Sequence, residues 1–391
     1  MTLERIAVSG YRSLQNVVLP LGNLTLVCGA NGAGKSNLYR SLRLLSAAAR
    51  GDLVAVLAAE GGLPAVLWAG PERLGRAMKS GELPVQGGPR TGPVRLRLGF
   101  GGSELSYAIE LGYPSEAGSA FHLDPQIKRE WIWAGSTFHP DALLLERSDG
   151  AVLRHGGGRP VVVTKELASF ESLLTAVTDP LETPEAFRLR RELLGWRFYD
   201  GFRTDATAPA RRSPIASRCP SLAADGGDLP AAVRTIEEVG DWQGFQAAID
   251  DAFPGCVIAV DVSSPRFRLQ MEQPGLLRPL EATELSDGTL RYVLLATALF
   301  SPRLPSLLML NEPENSLHPD LLLPLARLIL AAAARTQVWV VAHAPPLIEA
   351  LSGHDDVRVL ALDRELGATR LPGQTALDRA AWRWPAGGGH P

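Results

Sequence analysis

Gly29-Ala-Asn-Gly-Ala-Gly-Lys-Ser36 is the stretch on which the reading of this 391-residue chain turns. It matches G-x-x-x-x-G-K-[ST], and its surroundings suit the pattern. The apolar run Leu24–Cys28 before it reads as a strand, and Lys35–Arg50 after it reads as a helix of good formers that ends before Gly51. Glycines let such a loop wrap a polyphosphate closely, while successive backbone N–H groups and the helix N-terminus supply fixed positive potential. Lys35 would reach the β- and γ-phosphates and the Ser36 hydroxyl would coordinate Mg2+. Only four of the 39 basic residues are lysines, so composition alone makes a chance match rare.

Three further segments follow in the C-terminal third. Leu308-Met-Leu-Asn-Glu-Pro-Glu-Asn-Ser-Leu-His318 is an apolar strand that delivers polar side chains at its C-terminal end, where doubly wound α/β proteins place their chemistry. Glu312 suits the base that orients an attacking water. Glu284-Leu-Ser-Asp-Gly-Thr-Leu-Arg291 opens a helix expected over Thr289–Phe300, with Ser286 as N-cap and Gly288 in its first turn. Val340-Val-Ala-His343 puts a histidine directly after a buried strand. Taken singly, each has an ordinary structural reading: a strand ending in a turn, a capped helix, a core or turn histidine.

The rest of the chain supplies the frame. Glu4–Val8 reads as a strand, Val94–Leu111 as an antiparallel hairpin around a Gly-Gly turn, and Ala151–Val163 as further β structure. Pro184–Leu194 and Leu229–Phe253 read as helices, and the stretch 206–225 as a loop. A strand over Leu307–Leu310, a helix over Pro319–Ala334 and a strand over Gln337–Ala342 give the rhythm of a parallel sheet covered by helices. The two tryptophans of the tail, Trp382 and Trp384, are expected to pack before the end frays.

Taken in order, these motifs resemble the ABC-type ATPases. GYRSL ahead of the strand that leads into the phosphate loop, GKSN, LSDGTLR and NEPENSLHP resemble the SMC/RecF-like branch of bacterial "AAA family" ATPases. The likeness is strong over residues 1–50 and 280–350. It implies an α/β P-loop ABC-type head: a mixed or parallel sheet covered by helices, an antiparallel β part, a helical lobe and no long coiled coil. Residues 1–165 would form an N-terminal ATPase lobe, 166–300 a helical insert lobe ending in the signature, and 301–391 the rest of the ATPase lobe. Gly29, Asn31, Gly32, Ala33, Gly34, Lys35, Ser36 and Asn37 would hold ATP, Glu312 would be the catalytic carboxylate and His343 the switch histidine. Ser286 and Gly288 would touch the γ-phosphate of ATP held by a second copy, with Asn315–His318 at the junction of a twofold homodimer. Arg12 and Ser13 match the branch's basic-Ser element near the nucleotide.

One departure bears on the chemistry. The branch's usual aspartate is Asn311, which can accept a hydrogen bond from a Mg2+-bound water but brings no charge. Slow hydrolysis is the expectation, with an ATP-dependent switch that gates a protein partner, or less readily a transporter's nucleotide-binding subunit, as alternatives.

Composition narrows the class further. A net charge of −3 gives no global pull toward nucleic acid. Between Arg188 and Arg218, however, eight arginines stand against three acids, interleaved with Trp196, Phe198, Tyr199 and Phe202, a pattern that suits DNA backbone and stacked bases, although in an acidic chain arginines paired with acidic neighbours, or with nucleotide in the dimer, are the more ordinary reading. Cys28, Cys219 and Cys256 stand too far apart for a C-x-x-C zinc pair and are expected reduced and mostly buried. The N-terminus carries no apolar leader and no stretch suits a membrane span, so a cytoplasmic location is expected.

Overall fold

The computed structural model describes residues 1–71, 78, 80, 82–84, 93–114, 120–372 and 381–385. They form two units: Met1–Gly22, Gly29–Gly195 and Leu360–Pro391 in the first, Asn23–Cys28 and Trp196–Val359 in the second. Residues 166–195 thus join the segment 29–165, while 196–300 and 301–359 lie together, because strand pairing and not chain order decides which residues share a core.

The strands run in chain order from β1 (Leu3–Tyr11), β2 (Leu14–Pro20) and β3 (Leu24–Gly29) to β4 (Arg95–Gly102), β5 (Leu105–Gly112) and β6 (Gln126–Ala134). Next come β7 (Leu143–Ser148), β8 (Ala151–Arg154), β9 (Val161–Thr164) and β10 (Arg197–Tyr199). The last are β11 (Val257–Asp261), β12 (Arg268–Glu272), β13 (Leu280–Glu281), β14 (Leu307–Asn311), β15 (Gln337–Val341), β16 (Val357–Glu365) and β17 (Ala368–Arg370).

The first unit is built on an antiparallel sheet in the order β2-β1-β4-β5-β6-β7-β8-β9. The expected hairpin is β4-β5, with Leu98 opposite Ile109 and Phe100 opposite Tyr107. Every residue of β5 is buried, so both faces of the hairpin are covered, and its polar groups are paired accordingly. Glu110 takes Arg95 and Arg97. On the neighbouring β6, fully buried Glu130 accepts from the Tyr107 hydroxyl at 2.6 Å, the Leu173 N–H at 2.9 Å and Arg147 at 3.0 Å. Burial and the Glu130 charge push the Tyr107 hydroxyl well above its ordinary range. The tail tryptophans anchor here: Trp382 meets Trp133 edge-on at 5.6 Å and Trp384 lies beneath the Arg97 guanidinium. Residues 373–380 and 386–391 lie outside the described residues, and the expected fraying after Trp384 falls on the second of these stretches.

In the second unit β10, β14, β15 and β3 pair in parallel, with Tyr199 beside Leu310, Leu310 beside Val340 and Val340 beside Leu26. These strands read as unbroken apolar runs because helices cover them. The helix Asp287–Phe300 is buried from Leu290 through Phe300. The single helix expected over Leu229–Phe253 is two, Leu229–Val239 and Trp242–Ala252, broken at Gly240, where the Asp241 side chain caps the second by accepting from the Gly244 N–H. Similarly, Pro319–Leu321 forms a 3-10 turn before the helix Leu322–Ala333. β11, β12 and β13 form a separate three-stranded sheet. Sixteen residues is the longest helix among those described, so the mixed α/β class without a coiled coil holds. Among the described residues no helix is long and apolar enough to cross a membrane.

Candidate functional site

The phosphate-loop motif belongs to the first unit from Gly29 onward. Gly29, Gly32 and Gly34 hold φ of 138°, 82° and 104°, values only glycine adopts without strain. The helix Lys35–Arg50 begins after Gly34 with no side-chain cap and no acid in its first turn. Its first backbone return is Leu38 N–H to Gly34 O at 3.1 Å, so the N–H groups of Lys35, Ser36 and Asn37 have no partner within the helix. The Lys35 side chain is buried and curls back, donating to Gly29 O at 2.5 Å and Ala30 O at 3.2 Å. Asn31 and Ser36 are exposed. A glycine loop, a lysine folded over it and an uncapped helix start fit a polyphosphate.

Two of the residues expected at the nucleotide have protein partners. The Asn37 amide donates to Ser13 Oγ at 2.8 Å, bracing the loop from behind. Arg12, with φ 46°, gives its guanidinium to Glu60 at 2.7 Å, and Tyr11 donates to the same carboxylate at 2.8 Å. Of the Arg12-Ser13 pair, Ser13 is the one that reaches the loop.

In the second unit the parallel strands β14, β15 and β3 end at one edge of their sheet. β14 delivers Asn311 and Glu312, β15 leads into Ala342 and His343, and β3 runs into Gly29. Glu312 is left-handed, with φ 51°, a conformation that costs a non-glycine residue about 1–2 kcal/mol. Its N–H donates to Val341 O at 2.8 Å, and its Oε2 accepts from the Asn315 amide at 2.8 Å. His343 Nδ1 lies 3.7 Å from Glu312 Oε1 and equally 3.7 Å from Glu314 Oε1, too long for a hydrogen bond but within ion-pairing range once the imidazole is protonated.

Glu314 was not singled out in the sequence. Its buried side chain accepts the His343 N–H at 2.6 Å and the Ala344 N–H at 3.1 Å, at the entry to the helix Pro345–Ser352. Buried Arg291, from the signature helix, donates to Phe202 O and Glu312 O at 3.4 Å each. Burial lowers the affinity of that guanidinium for its proton, and Glu314 and Glu312 oppose the shift. Asn311 Oδ1 is buried and has no hydrogen-bond partner among the described residues. An acceptor left open in this way fits a water on Mg2+. Among the described residues no cluster of three His, Cys, Asp or Glu is placed to hold a metal.

Ser286 caps the helix Asp287–Phe300 as expected, accepting from the Thr289 N–H at 3.1 Å, and stays exposed. A Cβ on Gly288 would lie 3.2 Å from Ser316 O. Beneath this turn Arg211 donates to Thr204 O, Ala282 O, Leu285 O and Asp287 at 2.7–2.9 Å.

That contact lies within Arg188–Arg218, where the ordinary reading, arginines paired with acidic neighbours, is the one the structure supports. Trp196, Phe198, Tyr199 and Phe202 are all buried in core packing and cannot stack bases. Arg188, Arg203 and Arg218 pair with Glu104, Asp205 and Glu238. Cys28, Cys219 and Cys256 form no disulfide with one another and are only partly buried, which corrects the expectation that they are mostly buried.

The family model described as "AAA domain, putative AbiEii toxin, Type IV TA system" matches residues 24–349. The chain belongs to this family. The SMC/RecF-like reading of its motifs agrees with that membership. A curated relative, the OLD nuclease of Thermus scotoductus, is 44% identical over 43 residues, 11% of this chain and 8% of the nuclease, so the match spans less than a tenth of that protein's length. Among solved structures, the SMC head domain from Thermotoga maritima is 17% identical with a TM-score of 0.48, covering 94% of this chain and 97% of that one. The SMC head bound to the C-terminal winged-helix domain of ScpA is 13% identical with a TM-score of 0.49, covering 95% and 96%.

Proposed function

We propose that this AAA-family chain binds ATP with Mg2+ and hydrolyses it slowly. The observation that carries the reading is the Gly29–Ser36 loop, with Lys35 curled over its carbonyls and an uncapped helix start behind it. In this reading Lys35 and the loop amides hold the phosphates. Ser36, and Asn311 through a water, would hold the Mg2+, which would supply positive charge to offset that of the phosphates. Glu312 takes a proton from the attacking water as the bond between the γ-phosphorus and the bridging oxygen breaks. His343 donates to the γ-phosphate, and Glu314 fixes the backbone from which it does so. Ser286 and Gly288 contact ATP on a second copy, closing a twofold dimer. The exposed cap at a helix start supports this last role.

Phage defence is the setting we favour, and the family's description as a putative toxin of a toxin–antitoxin system is what supports a defensive role. DNA maintenance is the weaker alternative, because the Arg188–Arg218 aromatics are buried. A switch that binds ATP without turning it over is the second reading, and the neutral Asn311 favours it. The test is ATPase rate against Mg2+ for wild type and Glu312→Gln. Measurable wild-type turnover, reduced about 10²- to 10⁴-fold by the substitution, is expected. Intact ATP binding with no wild-type turnover at any Mg2+ would select the switch.

A further inference from the structure

We infer that Thr369, on the hairpin β16-β17 and beyond the stretch matched by the family model, is a positioning residue of the phosphate loop. This deepens the nucleotide-binding reading of Gly29–Ser36 and rests on it.

The hairpin turns through Leu366 and Gly367, both with positive φ, the combination that a tight two-residue connection needs. It follows the loop closely. A Cβ on Gly29 would fall 2.1 Å from Leu362 O, one on Gly32 would lie 3.8 Å from the Arg364 guanidinium, and one on Gly34 would fall 2.1 Å from Thr369 Oγ1 and 2.8 Å from Ser13 Oγ. Gly29 and Gly34 therefore have no room for a side chain against this hairpin, while Gly32 only lies alongside it. Gly34 in particular is required by Thr369 as well as by its own dihedral angle.

Hydrogen bonding gives Thr369 its role. Thr369 Oγ1, buried, donates to Ala33 O at 2.8 Å. A carbonyl can only accept, so the Thr369 oxygen must accept from Ser13 Oγ, 2.7 Å away. Ser13 Oγ in turn accepts from the Asn37 amide at 2.8 Å. The proton order is fixed throughout: Asn37 to Ser13 to Thr369 to Ala33. The Thr369 N–H also donates to Ser13 O at 2.8 Å, which locks strand and loop together.

The consequence follows from the planar trans peptide, in which C=O and N–H point in opposite directions. Holding Ala33 O toward Thr369 turns the Gly34 N–H away from Thr369, leaving it free to meet a phosphate oxygen held by the loop. Gly34, with no side chain, would otherwise let this peptide rotate. Thr369 thus sets the direction of one phosphate-binding amide without touching the nucleotide.

The experiment is equilibrium ATP and ADP binding by the full chain, followed by fluorescence, for wild type, Thr369→Val, Thr369→Ser, Ser13→Ala and Lys35→Ala, with thermal unfolding alongside. Thr369→Val, of the same shape but without a donor, should weaken both nucleotides about tenfold, the effect of losing one buried hydrogen bond. Thr369→Ser should stay within about twofold, since it keeps the donor. Ser13→Ala should weaken binding less than Thr369→Val, and the double variant should fall short of the product of the two effects, because both interrupt one chain of bonds. Thr369→Val within twofold of wild type, while Lys35→Ala has lost binding, overturns the inference and leaves the nucleotide reading standing. Equal losses in Thr369→Ser and Thr369→Val would overturn it too, since packing would then explain both. Full affinity in Lys35→Ala would instead sink the nucleotide reading itself. Should Thr369→Val fail to fold, Ser13→Ala carries the test, and unchanged affinity there overturns the inference.

Discussion

Replacing Glu314 should unfasten the turn that carries His343. The carboxylate is buried and accepts two backbone N–H groups, those of His343 at 2.6 Å and Ala344 at 3.1 Å. Alanine removes both acceptors at a helix entry where Pro345 and Pro346 supply no N–H, and it removes a negative charge that steadies buried Arg291. A hydrogen bond to a charged acceptor contributes about 1.5–3 kcal/mol net, and water can recover part of this near a partly exposed histidine, so Glu314→Ala should cost about 2–4 kcal/mol locally. Glu314→Gln keeps an acceptor at the same place and should cost about 1 kcal/mol. Hydrogen exchange reads the difference directly: the His343 and Ala344 amides should exchange about 30- to 1000-fold faster in the alanine variant and several-fold faster in the glutamine variant. ATP turnover should fall with them. Exchange at these two amides unchanged in Glu314→Ala would refute the claim that Glu314 holds the turn.

Other outcomes follow from the same geometry. Asn311→Asp places a carboxylate where a buried Oδ1 with no hydrogen-bond partner among the described residues now stands, so the nucleotide-free protein should unfold at lower temperature while the Mg2+ concentration for half-maximal turnover falls about tenfold or more, read by thermal scanning and a Mg2+ titration. Light scattering with ATP should show dimer accumulating for Glu312→Gln and monomer only when Ser286→Arg is added; monomer in every state of Glu312→Gln would count against the sandwich. Arg211→Ala should destabilise the chain by about 2–4 kcal/mol in urea titration, because four acceptors around the signature turn lose one donor group, and an unaffected midpoint would show that the clasp is dispensable.

Much of this protein was legible in the order of its residues. The Gly29–Ser36 pattern, the helix Lys35–Arg50, the β4-β5 hairpin and the parallel β14 and β15 depend on local spacing, turn chemistry and apolar periodicity, and these act over a few residues. The cap at Ser286 was legible for the same reason. Tertiary structure decided what depends on partners far along the chain. Three-residue β10 carries too short a pattern to announce itself and is a strand only because β14 pairs with it. Arginines and aromatics in 188–218 look alike in sequence whether they face water or core, and packing buried the aromatics. Glu314 differs from Glu312 by two positions and in nothing else the sequence records; the fold aims one at buried amides and leaves the other beside Asn315 and His343. Thr369 lies 336 residues from the carbonyl it holds, and a hydrogen bond over that separation exists only once the chain has folded.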